Sequence, residues 1–236
     1  MFRRSCRTCS IRDIAICQAL PVSALADLNR MAWRKLVRAG SPIFGAGDDS
    51  GIVANVVSGV VRLSRSLGDG RTQIVGLQFA PEFIGRPFAG SSNISAEAAT
   101  DVELCCFAKP QFETLLRTHR GLQELLMQRM VQDLDQAREW MLLLGRKTAL
   151  ERVATLLVLC AEKMTGGCSN RGELDGLELE LPLSRTEMAE YLGLTLETVS
   201  RMLRSLAQSG AIAVHRGRRL TITNASALRR CAELAA

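Results

Sequence analysis

LSRTEMAEYLGLTLETVSRMLRSLAQSGAI, residues 183–212, decides how the C-terminal third of the chain is read. Ser184 can cap a short helix that ends near Gly193. After a brief turn, Thr195 can cap a second helix running to about Ser209. In that helix Val199, Met202, Leu203 and Leu206 form an inward face. Glu197, Ser200, Arg201 and Arg204 align on the other face, because i, i+3, i+4 and i+7 coincide on a helix. A short helix, a tight glycine-containing turn and a second helix with polar residues at its start form the helix-turn-helix pattern. The next segment, IAVHRGRRLTIT (residues 212–223), reads as a hairpin turning at Gly217. It is a wing whose Arg216, Arg218 and Arg219 can neutralise phosphates.

The polar face has a definite chemistry. Arg201 can bond guanine O6 and N7 together, Glu197 can accept from cytosine N4, and Ser200 can reach a base edge or a phosphate. Any one of them alone would pass for a solvated helix face; the trio with a basic wing behind it predicts double-stranded DNA as partner. A formal net charge of +6 over 236 residues is compatible with that. The 47% hydrophobic and 23% charged content is that of an ordinary globular chain, long enough for two modest domains. In the opening MFRRSC stretch no signal-peptide core follows the charges, because Arg12 and Asp13 interrupt it. VATLLVLCA (residues 153–161) is too short to span a bilayer. The expectation is a cytoplasmic protein without membrane contact.

Upstream of the motif, residues 120–144 contain no proline and no glycine after Gly121. Leu126, Met130, Leu134, Ala137, Met141 and Leu144 recur at steps of three and four, one continuous stripe on a helix of about 37 Å. A small domain does not easily cover such a stripe along its length. Two readings stand: packing on the protein's own core, or a two-helix dimer seam at Met130, Leu134, Ala137 and Met141. Asp133 and Asp135 flank the stripe and would repel their symmetry mates, keeping pairing marginal. Further upstream, residues 36–107 are punctuated by glycine. VANVVSGVVRLSRSL partly alternates apolar and polar residues, then meets the turn Gly68–Gly70 and RTQIVGLQF. This reads as a small antiparallel barrel or jelly roll, with a plain β-sandwich as the alternative.

At the N-terminus, CRTCSIRDIAIC (residues 6–17) places three of the eight cysteines within twelve residues. In a reducing compartment clustered cysteines bind metal or do redox chemistry rather than form disulfides. With two histidines in the chain, His119 and His215, a metal site must be mostly thiolate. Of the other thiols, Cys160 sits on an apolar helix face and reads as core. Cys168, beside Gly166 and Gly167, reads as an incidental loop thiol, and Cys231 has no evident partner.

LSRTEMAEYLGLTLETVSRML resembles the DNA-reading segment of the CRP/FNR transcription regulators, and ETVSR resembles the recognition signature of their FNR-type branch. SGVVRLSRSLGDGRTQIVGLQFAPEFIG is similar to the family's effector β-roll, and the Met- and Leu-rich helix to its dimerisation helix. The resemblance covers nearly the whole chain. It implies an α+β architecture: a cysteine-rich segment (residues 1–22), a jelly-roll-like β-roll sensor domain (23–116), a dimerisation helix (117–146) and a winged helix-turn-helix domain (147–236). It also implies a homodimer that reads palindromes with TTGAT-type half-sites through Glu197, Ser200 and Arg201, works with RNA polymerase and is not an enzyme. FNR-type members carry one further cysteine at the end of the β-roll, a position that Cys105 matches. Cys106 adjoins it, but neighbouring strand residues face opposite sides, so only one of the two points at a shared site.

The ligand set implied by the resemblance is therefore Cys6, Cys9, Cys17 and Cys105, and the implied group an oxygen-labile [4Fe–4S] cluster. The same thiolates would satisfy zinc, and the absence of any metal is the third option. Cys-x2-Cys-x7-Cys has a wider second gap than some FNR-type proteins; the extra residues include Ile14 and Ile16, which can shield a cluster. A cyclic nucleotide, the ligand of the CRP branch, is not expected. EFIG (residues 82–85) resembles that branch, but AGSSNISAEAATDVELC has no arginine to meet a phosphate. Haem lacks a CxxCH motif. Two other functions compete: a regulator of the same family that is cluster-independent or triggered by thiol oxidation, and an iron–sulfur enzyme with a DNA-binding tail. Against the enzyme stand the lack of an acid–base constellation and a cluster with no open coordination position.

Overall fold

The computed structural model describes residues 6–166 and 174–233, in two compact units divided near residue 136. In the first, 3-10 turns at Cys6–Thr8 and Ile16–Ala19 precede α1 (Val22–Met31), and eight strands follow. These are β1 (Trp33–Val37), β2 (Pro42–Phe44), β3 (Ile52–Ser58), β4 (Val60–Ser66), β5 (Thr72–Phe79), β6 (Phe83–Ile84), β7 (Ser95–Ala98) and β8 (Val102–Ala108). They form two antiparallel sheets in the orders β1-β8-β3-β6 and β2-β7-β4-β5, the double-sheet roll expected from the sequence. Gly59, at φ +82°, turns β3 into β4 where a Cβ would overlap the Asp101 carbonyl oxygen.

The first sheet is covered on both faces, which explains the nearly unbroken apolar run of β3. Ala54, Val56, Leu104 and Cys106 point into the roll with Val61, Ile84 and Ala98. Val53, Val57, Cys105 and Phe107 point the other way, onto a layer made by Ile11, Ala15, Ile16 and Leu20, by α1, and by α2 (Lys109–Thr118). The two-residue period of β8 thus sends Cys105 and Cys106 to different cores.

Helix α3 (Arg120–Arg146) is 27 residues long, about 40 Å at 1.5 Å per residue. Leu122 and Leu126 belong to the Cys105-side core, whereas Met130, Leu134, Ala137 and Met141 are exposed on the isolated chain. The stripe's first member is used internally and its middle is not.

In the second unit α4 (Ala149–Met164) packs on α6 (Leu196–Gln208) and α7 (Ala225–Glu233), and Val153, Leu157, Cys160, Leu203, Leu206 and Leu228 on these helices are buried. α5 (Arg185–Leu192) completes the helical layer, and a sheet ordered β10-β11-β9 (Ile212–Val214, Arg219–Ile222, Leu177–Glu180) lies beside it. Arg152 fastens this unit together. Its Nε and Nη2 donate to the carbonyls of Lys147 and Leu144 at 2.9 and 2.7 Å, and its Nη1 donates to the Leu192 carbonyl at 3.0 Å. Carbonyls at the ends of α3 and α5 that lack helical partners are thereby satisfied by one cation, which also suits the negative helix termini. Among the described residues no helix is long and apolar enough to cross a membrane.

Candidate functional site

The recognition surface is built by caps. Ser184 and Glu187 form a reciprocal capping box at the start of α5, and Gly193, in the left-handed region at φ +61°, ends it. Thr195 accepts from the Thr198 amide at 3.2 Å and starts α6 two residues later. Burying Val199, Leu203 and Leu206 leaves Glu197, Arg201 and Arg204 exposed and Ser200 half-buried on the opposite side. Met202, expected inward, is half-buried. Hydrogen bonds from its own amide and from the Thr195 hydroxyl hold the Glu197 carboxyl below its ordinary range, so it remains an acceptor. In the wing, Gly217 adopts φ +71°; Arg216 is exposed, Arg218 donates to the Pro182 carbonyl at 3.1 Å, and Arg219 lies 3.9 Å from Glu180.

The four cysteines singled out in the sequence line a single cavity, together with Ile11, Arg12, Leu28, Trp33, Arg34, Asn55 and Phe107. Cys6 is held by its amide, which donates to Asn29 Oδ1 of α1 at 3.0 Å. Cys17 contacts the Arg12 carbonyl at 3.7 Å through its thiol. Arg34 donates from Nη2 to Cys9 Sγ at 3.1 Å. Arg34, Cys105 and Asn55 are register partners on β1, β8 and β3, so their side chains share one face of the sheet. Cys106 is fully buried on the other face and does not line the cavity.

Burial and the neighbouring sulfurs push Cys17 up to about 11 and Cys105 up to about 12, and Cys6 also rises above its usual value. Arg34 acts in the opposite direction on Cys6 and Cys105. The cavity is narrow, about 20 Å3, enough for one water. No three His, Cys, Asp or Glu side chains among the described residues stand at the spacing of ligands around one ion. The donor set, four convergent thiols on two turns and a strand with a guanidinium beside them, fits a group held by thiolates at several points. Of the two isoleucines expected to cover it, Ile16 is buried but Ile14 is 52% exposed. Ile11, not singled out in the sequence, lines the cavity and shares a buried layer with Ala15.

The segment meets α3 in the core shared by Ile11, Ile16, Leu122 and Leu126 and through a hydrogen bond. Arg129 donates from Nη2 to the Ile14 carbonyl at 3.1 Å, and a Cβ at Gly121 would stand 3.4 Å from the Ala19 carbonyl oxygen, at the edge of ordinary contact. Neither was expressed in any local motif. Cys160 is fully buried in the second unit, Cys231 is half-buried on α7, and Cys168 lies outside the described residues.

Comparison with known proteins matches residues 151–231 to the Crp-like helix-turn-helix domain and residues 34–119 to the cyclic nucleotide-binding domain. A "Probable transcriptional activator" of Rhizobium leguminosarum bv. viciae is 42% identical over 96% of this chain and 92% of its own length. The transcriptional activator protein FnrL of Cereibacter sphaeroides is 38% identical over 93% and 88%. Among solved structures, FixK2 from Bradyrhizobium japonicum superposes with a TM-score of 0.76 at 32% identity, covering 87% of this chain and 99% of that one.

Proposed function

Because this chain belongs to the CRP/FNR family of transcription regulators, not to an enzyme family, we propose that it is an FNR-type sensor whose Cys6, Cys9, Cys17 and Cys105 hold a [4Fe–4S] cluster. The observation that carries this reading is the convergence of those four thiols, from residues 6–17 and from β8, on one cavity. Bound there, such a cluster supplies oxygen-labile coordination at the junction of the N-terminal segment and the sheet.

The chain's own residues supply the rest. Four thiolates committed to one group fix residues 6–17 against β8. Arg129 and the core shared with Leu122 and Leu126 pass that fixed position to α3, where Met130, Leu134, Ala137 and Met141 form an apolar stripe available to a second copy. Pairing of two α3 helices presents two recognition helices to successive major grooves, about 34 Å apart. Glu197, Ser200 and Arg201 then read TTGAT-type half-sites, and the wing arginines hold the flanking phosphates. A bias of about 1.4 kcal/mol between paired and unpaired states changes the dimer population tenfold, so a modest tether is sufficient as a switch. RNA polymerase is the partner through which bound dimer acts.

Cyclic nucleotide is not the effector in this reading, since residues 89–105 offer no arginine to a phosphate. A regulator of the same family that is cluster-independent or triggered by thiol oxidation is the alternative, and iron and sulfide content separates the two.

The test is an absorbance spectrum with iron and sulfide assays on protein purified without oxygen and then exposed to air. Near-stoichiometric iron and sulfide with a band at roughly 400 nm that bleaches in air is the expected result. Protein that contains zinc or no metal even after anaerobic reconstitution would remove the oxygen-sensing function and leave the DNA-binding one.

A further inference from the structure

Among the described residues two arginines line the thiol cavity, and Arg34 is the more enclosed. Its side chain is 9% exposed, whereas Arg12, the other arginine on the cavity wall, is 34% exposed and lies 3.7 Å from Asp13. Taking a guanidinium out of water costs several kcal/mol unless an anion and good hydrogen bonds replace the solvent. The carboxylate beside Arg34 is Glu103, 3.5 Å from Nη1, yet Nη1 is buried without a hydrogen bond. That pairing is loose. The well-formed contact is to sulfur, Nη2 to Cys9 Sγ at 3.1 Å. On the same face Asn55, 1% exposed, lines the cavity with its Oδ1 buried and lacking a partner. A sheet face that places a buried cation with an unbonded donor beside a cluster of thiols is suited to a negatively charged occupant, whereas the Asn55 Oδ1, an acceptor, calls for a donor and adds nothing to that preference.

We propose that Arg34 is a positioning residue of the thiol site: a fixed cation, bonded to the Cys9 sulfur and sharing a sheet face with Cys105, that offsets the negative charge of the four thiolates and sets the reduction potential of the group they hold. The inference rests on the cluster reading above. Its physical basis is that net charge and hydrogen bonds to sulfur are principal determinants of an iron–sulfur potential. A positive charge close to the cluster favours the state with one more electron. Glu103, on the other side of the same guanidinium, acts with opposite sign.

The test compares anaerobically loaded wild type, Arg34→Gln, Arg34→Lys and Glu103→Gln. Iron and sulfide are assayed first, and the midpoint is then read from a mediated titration that adds one electron and breaks no bond. Arg34→Gln should weaken the reduction equilibrium about tenfold, about 59 mV for one electron. Arg34→Lys, which retains the charge, should stay within about threefold of wild type. Glu103→Gln should shift the midpoint upward. Coincident midpoints for wild type and Arg34→Gln, or shifts of Arg34→Gln and Glu103→Gln in the same direction, overturn the assignment. If Arg34→Gln does not fold, Glu103→Gln decides alone, and an unchanged or lowered midpoint sinks it. A wild-type protein that takes up no iron and sulfide refutes the cluster itself, whereas loaded proteins with equal midpoints refute only the role of Arg34.

Discussion

Arg129 reaches across 115 positions of sequence to donate a hydrogen bond to the carbonyl of Ile14 at 3.1 Å. The residue beside it on α3, Met130, is 61% exposed and belongs to the apolar stripe. The cysteine-bearing segment and the face proposed for pairing are therefore one side chain apart. Arg129→Ala should leave iron and sulfide content unchanged and lower dimerisation about two- to tenfold, the range of a single net hydrogen bond of about 0.5–1.5 kcal/mol. Sedimentation equilibrium of the loaded protein measures it, and an undiminished dimer constant would exclude this route of coupling.

Leu134 distinguishes a dimer seam from an internal core. It is 50% exposed on the isolated chain, so Leu134→Glu should change monomer stability by no more than about 0.5 kcal/mol. Across a two-fold seam the same change sets two carboxylates against each other and should abolish pairing and operator binding together. Loss of thermal stability in the monomer would instead show that the stripe serves the fold.

Cys105 and Cys106 are adjacent in sequence and lie in different cores. Cys105→Ser should therefore eliminate iron and sulfide uptake. Cys106→Ala should retain both while costing roughly 1 kcal/mol of stability, as expected for a small buried truncation. Metal analysis and thermal melts of the pair separate the two roles.

Arg201 and Arg216 should fail differently on DNA. Arg201→Ala is expected to cost about 1–3 kcal/mol on the matched operator and to relax discrimination at one base pair. Arg216→Ala should weaken matched and mismatched sites alike and reduce the slope of log affinity against log salt by about one. Titrations at several salt concentrations with matched and mutated operators check both.

Cys160 predicts a pH dependence. Burial raises its thiol from 9.0 to about 12, which means that the folded state excludes the thiolate. A group whose value is raised on folding contributes fully below its unfolded value and loses that contribution as pH climbs towards the folded one. Cys160→Ala should be less stable than wild type at pH 7, and the gap should close between pH 9 and 12. Parallel melting curves across that window test the sign.

The helix-turn-helix was legible because its determinants are local: caps at Ser184 and Thr195, a left-handed Gly193 and an inward set at helical spacing. That Cys105 and Cys106 face opposite sides was legible from the two-residue period of a strand; which of them faces the other thiols was not, and Cys105 came from the family resemblance alone. Helices α1, α2 and α7 were not read from the sequence, though signals exist. Pro21 precedes α1, Pro110 stands in the first turn of α2, and Asn224 Oδ1 accepts from the Ala227 amide at the start of α7 at 2.8 Å. Their apolar faces are short, so periodicity alone was weak. The environment of the thiols was beyond any local pattern, because Arg34 meets Cys9 and Arg129 meets Ile14 only once the sheet, α3 and the N-terminal turns are assembled.

The three carbonyls held by Arg152 have a mechanical consequence. With the end of α3, the start of α4 and the end of α5 locked by one guanidinium, little slack is left between the last turns of the long helix and the reading head. In the proposed dimer, a turn of the last part of α3 would therefore carry its own reading head with it and change the gap to the other, much as turning the hinge of a pair of calipers opens its jaws. DNA, whose grooves repeat at a fixed pitch, would judge the setting of the jaws and not merely their presence.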